Sequence, residues 1–493
     1  MAAHYPVLIV VVPLLSVFLI SLAGWVNRRY CFPIAVLSLA TAFSGSILLF
    51  CRVLEEKSVT YLLGGWPAPW GIAYKVDALN GLVLVMVLSV AMIHILATRQ
   101  SVEETFAQKA GAFYTLYVLF ITGLLGIVVT GDAFNLYVLL EIASLTGYAL
   151  IGLGEDRSPL ASLNYLFMGT LGASFYLLGI GYLYMITGTL NMADLGAMLP
   201  AHFDSRVVVF AFIICLTGLF IKMALFPLHA WLPNAYTQAP AVVTSLVAPL
   251  TTKVMVYVMI RITLTVFTPA FAFDRPVIGD ALVRVASVAI VAGSLLALSQ
   301  RCLKKMMAFV IVAEVGYMVG GLWLGNRNGV SGAILHVIND AAMMLCLFLA
   351  IGNILHQMKT DALSDLKGLF RKMPVSMAGF VAAGLSIIGV PPTCGFFSKW
   401  YLILGGISKG HWEFVAALIF SSLINVVLFF RIIEIGYFEP VTDHDHGKAA
   451  QREAPMGMTA PLVFTAMLLI AMGIYSGEIV TRVIYPALPA GIL

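Results

Sequence analysis

Again and again along this chain, runs of about 20 residues pass with scarcely a charged side chain, and that length and polarity fit a helix crossing the hydrocarbon core of a bilayer. Reading the runs in order places spans near 4–24, 32–52, 78–98, 110–130, 132–152, 163–187 and 207–240, then 241–265, 277–299, 305–325, 331–352, 374–408, 411–438 and 458–480. The polar–apolar alternation of a membrane barrel is absent. The expected fold is therefore an all-α integral membrane protein with about 14 transmembrane helices. Composition agrees: 61% of residues are hydrophobic and 11% charged, where a soluble domain carries about 25% charged residues.

The connections are short, and the formal net charge of +4 is spread among them, leaving no basic tract for nucleic acid. Cys31, Cys51, Cys215, Cys302, Cys346 and Cys394 show no metal or redox spacing, and most sit in apolar runs as small hydrophobes. The first run lacks a basic flank before it and is followed by Asn27-Arg28-Arg29, so it is read as a span rather than a cleaved leader. The longest polar stretch, "YFEPVTDHDHGKAAQREAPMG", is a linker whose Asp443–His446 run is read as solvated loop rather than a metal site. No metal or cofactor site is expected. Lysine and arginine concentrate in the loops after odd-numbered spans, among them Arg28, Arg29, Arg99, Lys109, Lys304, Lys305, Lys359, Lys367 and Lys448. The positive-inside rule then puts those loops in the cytoplasm and both termini outside a cell inner (cytoplasmic) membrane.

Seven titratable residues remain inside spans: Glu141, Lys222, Lys253, Glu314, His336, Asp340 and Lys399. Each charged group costs about 2.5–3.5 kcal/mol at a helix centre on insertion scales, so such residues face the bundle interior or water and point to an ion or proton path. The alternatives are snorkelling to a span end, or a static structural salt bridge. Lys253, in "VVTSLVAPLTTKVMVYVMI", lies too deep to snorkel easily. His336 and Asp340 are four residues apart, on one helix face, where they either titrate together or simply satisfy each other. Glu314 precedes them on the neighbouring span, where a cavity mouth would keep it wet. Asp132 and Asn135 fall at the start of the fifth span, the place for a helix cap.

Two spans are interrupted. In "IKMALFPLHAWLPNAY" Pro227 and Pro233 follow Lys222, and in "IIGVPPTCGFFSKW" Pro391 and Pro392 precede Lys399. Proline removes a ladder hydrogen bond, and irregular backbone at membrane depth is tolerated only where protein or a wet cavity surrounds it. Broken helices at matching places in two halves point to inverted repeats. Here the breaks fall in spans seven and twelve, which suggests related units at 110–265 and 277–438, with Glu141 and Glu314 as counterparts.

The stretches "GDAFNLYVLLEIASLTGYALIGLG", "GYLYMITGTLNMADL", "KMALFPLHAWLPNAYTQAP" and "GVPPTCGFFSKW" resemble the antiporter-like subunit family. That family is shared by Mrp-type cation/proton antiporters, membrane-bound hydrogenases and respiratory complex I, and the likeness runs from about residue 75 to 435. "TGTLNMADL" and the compact length look most like the D-type chain of Mrp antiporters. The resemblance implies two inverted five-helix bundles, discontinuous helices seven and twelve, and a proton path of buried charges linked by water. It makes Glu141 the glutamate that pairs with Lys222, Lys253 the central lysine, His336 the histidine of the eleventh helix, and Lys399 the lysine near the exit. Where relatives often carry a further lysine on the eleventh helix, this chain has Met344.

The function so implied is a proton-translocating D-type subunit of a multisubunit Na⁺/H⁺ antiporter, with other membrane subunits as partners and protons and Na⁺ as the ions. The alternative is the proton-pumping arm of a redox-driven complex, a membrane-bound hydrogenase or quinone reductase. A stand-alone solute permease fits less well, because the midplane charges form a line rather than a compact pocket. No nucleophile elbow, zinc ligand set or dinucleotide loop accompanies them.

Overall fold

The computed structural model describes residues 4–439 and 452–492; the Asp443–His446 run and Lys448 lie outside them. Helices α1 (Tyr5–Val26) and α2 (Cys31–Glu56) form a peripheral hairpin. A two-stranded antiparallel ribbon follows, β1 (Ser58–Leu62) and β2 (Ala73–Asp77), with Ser58 opposite Asp77. Hydropathy alone reads that ribbon as loop. Asp77 starts α3 (Ala78–Phe106) in a reciprocal cap: its carboxylate accepts from Leu79 N and Asn80 N while Asn80 Oδ1 accepts from Asp77 N. Next come α4 (Ala110–Val129), α5 (Ala133–Gly152), α6 (Ser158–Thr187) and the short α7 (Met192–Met198). Asp132 caps α5, accepting from Asn135 N at 2.7 Å, as its position suggested.

The next elements are α8 (Arg206–Lys222), α9 (Trp231–Gln238), α10 (Ala241–Arg261), α11 (Thr268–Phe273), α12 (Pro276–Leu298) and α13 (Leu303–Trp323). After them run α14 (Arg327–Met358), α15 (Leu369–Lys372), α16 (Pro374–Ile388), α17 (Cys394–Lys409), α18 (Trp412–Tyr437), α19 (Met456–Ile474) and two short terminal pieces. Eleven helical stretches among the described residues are long and apolar enough to cross a membrane, and one of them, Ala78–Val129, contains both α3 and α4.

Burial sorts these helices. The apolar windows of α10, α13 and α14 are wholly buried, while only a third of those of α1, α2 and α19 is. Helices apolar all round belong in the middle of a bundle, and here the three central helices also carry Lys253, Glu314, His336 and Asp340. Between lipid-solvated helices the hydrophobic effect gives little attraction, so contact depends on close backbone approach at small residues. Two hairpins show it. A Cβ added to Gly123 of α4 would lie 2.7 Å from Ala143 N of α5, and one added to Gly293 of α12 would lie 2.7 Å from Ala313 N of α13. Ala143 is two residues past Glu141 and Ala313 is one residue before Glu314, so both glutamates sit where two helices are clamped together.

The two interrupted spans are each a pair of helices. In the first, α8 stops at Lys222 and α9 starts at Trp231, with Ala224 at φ 60°, a left-handed conformation uncommon for a residue with a Cβ. In the second, α16 ends on Gly389 at φ 92° and α17 begins at Cys394, after Pro391 and Pro392. The freed carbonyls find donors in different ways. At the first break the Trp231 indole donates to Ile221 O at 2.9 Å. At the second, the Lys399 ammonium donates to Ile387 O at 2.5 Å and Ile388 O at 3.4 Å.

Candidate functional site

Lys222, the last residue of α8, points at α5. Its Nζ lies 3.5 Å from Glu141 Oε1 and donates to Ser144 Oγ at 2.8 Å. The lysine is buried, and the Glu141 side chain keeps 21% of its exposure. Helix register explains the set: Glu141 and Ser144 are three residues apart and share a face.

Lys253 of α10 and Asp340 of α14 meet at 2.9 Å, both completely buried. The lysine also donates to Ala248 O at 3.2 Å, which holds its stem back along its own helix. Asp340 Oδ1 has no hydrogen-bond partner. Breaking such a buried pair by removing one member costs about 3–5 kcal/mol, because the other charge is left unpaired.

His336 and Asp340 do not satisfy each other; each turns to a different helix. His336 Nε2 lies 2.5 Å from Glu314 Oε2 of α13, and its Nδ1 lies 2.9 Å from Ser398 Oγ of α17. Spacing along α14 made the two residues neighbours on one face, but packing on both sides of that face gave them separate partners. Glu314 is also fully buried rather than wet at a cavity mouth, and its Oε1 has no hydrogen-bond partner.

Lys399 has no carboxylate within ion-pair distance among the described residues. Besides the two carbonyls of the break it donates to Ser422 Oγ at 3.2 Å, and its ammonium sits 4.9 Å from the centre of the Tyr317 ring. Tyr317 donates to Ser421 Oγ at 2.6 Å, which is in turn 2.6 Å from Ser294 Oγ. Gly389 is required here: its backbone is left-handed, and a Cβ would come within 3.3 Å of Lys399 Cδ. Met344, one turn beyond Asp340, is fully buried.

Sequence reasoning finds the charged members of this array and misses the hydroxyl side chains that accompany them, Ser144, Ser398, Tyr317, Ser421 and Ser422. Serine and tyrosine are ordinary in membrane helices, so nothing in the sequence marks them. It also misses the bidentate pair of Arg261 with Asp77, at 2.6 and 2.9 Å, which ties the end of α10 to the cap of α3.

Buried acids and bases on six helices, several with a hydroxyl partner, are suited to moving charge rather than to covalent chemistry. The family model described as "NADH:quinone oxidoreductase/Mrp antiporter, TM" matches residues 130–425, the stretch that holds every one of these groups. The chain belongs to this family. It is 41% identical over 505 aligned residues to the N-type subunit of the NADH-quinone oxidoreductase of Desulforudis audaxviator (strain MP104C), with 99% of each chain covered. It is 29% identical over 432 residues to the D-type subunit of the Na(+)/H(+) antiporter of Bacillus subtilis (strain 168), covering 87% of this chain and 86% of that one. Among solved structures, a chain of the membrane-bound sulfane sulfur reductase, an archaeal respiratory membrane complex, superposes with a TM-score of 0.89 at 28% identity, covering 99% of both chains. Membership in the NADH:quinone oxidoreductase/Mrp antiporter family accounts for the nearly all-helical membrane fold.

Proposed function

We propose that this chain is a proton-conducting subunit of a multisubunit membrane complex, and that its path uses Glu141, Lys222, Lys253, Asp340, His336, Glu314 and Lys399. The observation that carries the reading is the fully buried Lys253–Asp340 pair in the middle of the bundle, accompanied by the Glu141–Lys222 and Glu314–His336 acid–base pairs. Fourteen spans and two inverted units, 110–265 and 277–438, are part of this reading. The two broken helices and the two glycine-clamped hairpins support it. Coupling passes by pairing: when one ion pair opens, the ammonium it leaves loses the charge that favoured its protonation, and the next group gains affinity for the proton. Water bridges the gaps. The same reading places the chain in the cytoplasmic membrane, with its lysine-rich loops inside and both termini outside.

The driving force we assign is redox. Full-length identity of 41% to a quinone oxidoreductase subunit supports this above the D-type Na⁺/H⁺ antiporter that the motifs favoured. The D-type antiporter chain matches at 29% over 87% of this chain, which supports the second reading. The test is gentle purification of the complex from its native membrane, with its companions identified by mass spectrometry. Iron–sulfur, nickel or flavin subunits are expected; a set of small antiporter subunits would return the chain to the D-type reading. Proton flux in vesicles then tests the path, and normal flux in Lys253→Met would remove it.

A further inference from the structure

His94 of α3 is as buried as any group in the proposed path, yet it belongs to none of the pairs described above. Its Nδ1 lies 3.2 Å from Tyr117 Oη of α4, and its Nε2 lies 3.0 Å from Val242 O and 2.9 Å from Ser245 Oγ of α10. Each hydroxyl has a second partner: Tyr117 Oη is 2.8 Å from Ala91 O, and Ser245 Oγ is 3.0 Å from Val242 O. With both hydroxyl protons on those carbonyls, each ring nitrogen faces an acceptor and the ring holds two protons. Turning one hydroxyl toward the ring suits the neutral form instead. Rotation of a hydroxyl therefore lets the same partners hydrogen-bond the ring in either protonation state.

Ser245 also lines a cavity of about 170 Å³, together with Thr98, Ser101, Asn353, His356 and Lys359. The cavity lies toward the ends of α3 and α14, where the lysine- and arginine-rich loops gather. Its titratable groups are His356 of α14 and Lys359 just past the end of that helix, with Glu104 of α3 lying 3.5 Å from His356 Nδ1; α4 brings Tyr117 to the ring, and α19 contributes Met458 to the wall. On the inner side, Ser245 and Lys253 are eight residues apart on α10, about 12 Å of helix rise. Pro249, between them, lacks the N–H that would bond Ser245 O. Lys253 reaches back to Ala248 O, and the buried Thr252 Oγ1 has no hydrogen-bond partner. Polar atoms thus recur at each turn from the cavity floor to the central ion pair, a setting for bridging water.

We propose that His94 is a proton-loading residue at the inner end of this cavity, feeding the Lys253–Asp340 pair along α10. The proposal rests on the proton-conduction reading. A proton from cavity water reaches Nε2 through Ser245, whose hydroxyl passes its own proton to the ring as it takes one from the cavity. It later returns to Ser245 Oγ as that hydroxyl passes its own proton to the α10 side, so only N–H and O–H bonds are exchanged.

The test uses the whole complex in proteoliposomes, with proton flux driven by an imposed pH gradient and assembly checked on native gels. His94→Ala is expected to lower flux about a hundredfold, the scale of a positioned proton-transfer group, and added imidazole is expected to restore much of it. Gly352→Leu, at a cavity-lining position where an added Cβ meets open space, is expected to cut flux without touching His94, and it keeps the proposal testable should His94→Ala fail to assemble. Wild-type flux in either variant overturns the branch, and so does a loss in His94→Ala that imidazole does not restore, since that marks a structural hydrogen-bond hub. Lys253→Met separates the two levels: its failure with normal His94→Ala flux sinks only the branch, whereas wild-type flux in Lys253→Met sinks the conduction reading itself.

Discussion

The two halves of this molecule use the same kinds of residue under different conditions. Around the first break, Lys222 and Glu141 stand 3.5 Å apart with the carboxylate still a fifth exposed. Around the second, Glu314 and His336 are at 2.5 Å with no exposure at all. The first break hands its free carbonyl to a neutral indole and leaves its lysine for the carboxylate; the second uses up its lysine on the carbonyls of the break. Glu141 keeps an open face on the surface of the bundle, although the oxygen facing Lys222 and the lysine itself are buried. The Glu141–Lys222 pair thus has an open face and the Glu314–His336 pair has none, with the fully buried Lys253–Asp340 pair formed between α10 and α14. Separating a fully enclosed pair leaves a charge buried without its partner.

The comparison is broken most severely at that joint. Lys253→Met is expected to destabilise the complex by about 3–5 kcal/mol and to stop proton flux. Replacing both partners, Lys253→Met with Asp340→Leu, is expected to return most of the thermal stability and none of the flux, as read by melting of the solubilised complex and by vesicle assays. A double variant that transports would mean that the joint carries no protons.

Next in size is the contrast between the glutamates. Glu314→Gln leaves His336 without its carboxylate in a dry site and is expected to lower both flux and thermal stability. Glu141→Ala and Lys222→Ala are expected to abolish coupled transport while the complex assembles at wild-type levels. Equal stability losses at the two glutamates would erase the distinction between the open-faced pair and the enclosed one.

The breaks come third. Lys399→Met strips the donors from two carbonyls and should cost about 1–3 kcal/mol, the penalty for leaving buried polar groups unpaired. Trp231→Phe removes a single neutral donor and should cost less, toward the lower end of that range. A thermal-shift comparison of the two decides it, and a larger loss for the tryptophan would reverse the assignment. Gly389→Ala, the smallest change, is expected to cost about 1–2 kcal/mol from its left-handed backbone and to lower flux through displacement of Lys399; a flux equal to wild type would show that the lysine position is not critical.

Much of this is legible in the residues. Apolar runs announce membrane helices because the bilayer core admits little else, and prolines at 227, 391 and 392 announce the breaks because their missing N–H groups leave carbonyls to be satisfied elsewhere. The buried charges stand out because their insertion cost needs a reason. His94 does not stand out, since a single histidine near the middle of α3 reads as an ordinary core residue until Ser245 and the cavity are seen beside it. The β1–β2 ribbon escapes notice for a related reason: its pairing joins segments across a glycine- and tryptophan-rich loop with no strong alternation.

Local chemistry, then, settled the membrane, the helices, the breaks and the list of titratable groups, since each follows from what a short segment costs to bury. Partnership was decided only by packing. His336 and Asp340 share a face of α14, yet one bonds α13 and α17 and the other bonds α10. A helix face can meet several neighbours at once, and only the assembled bundle fixes which neighbour brings the matching charge.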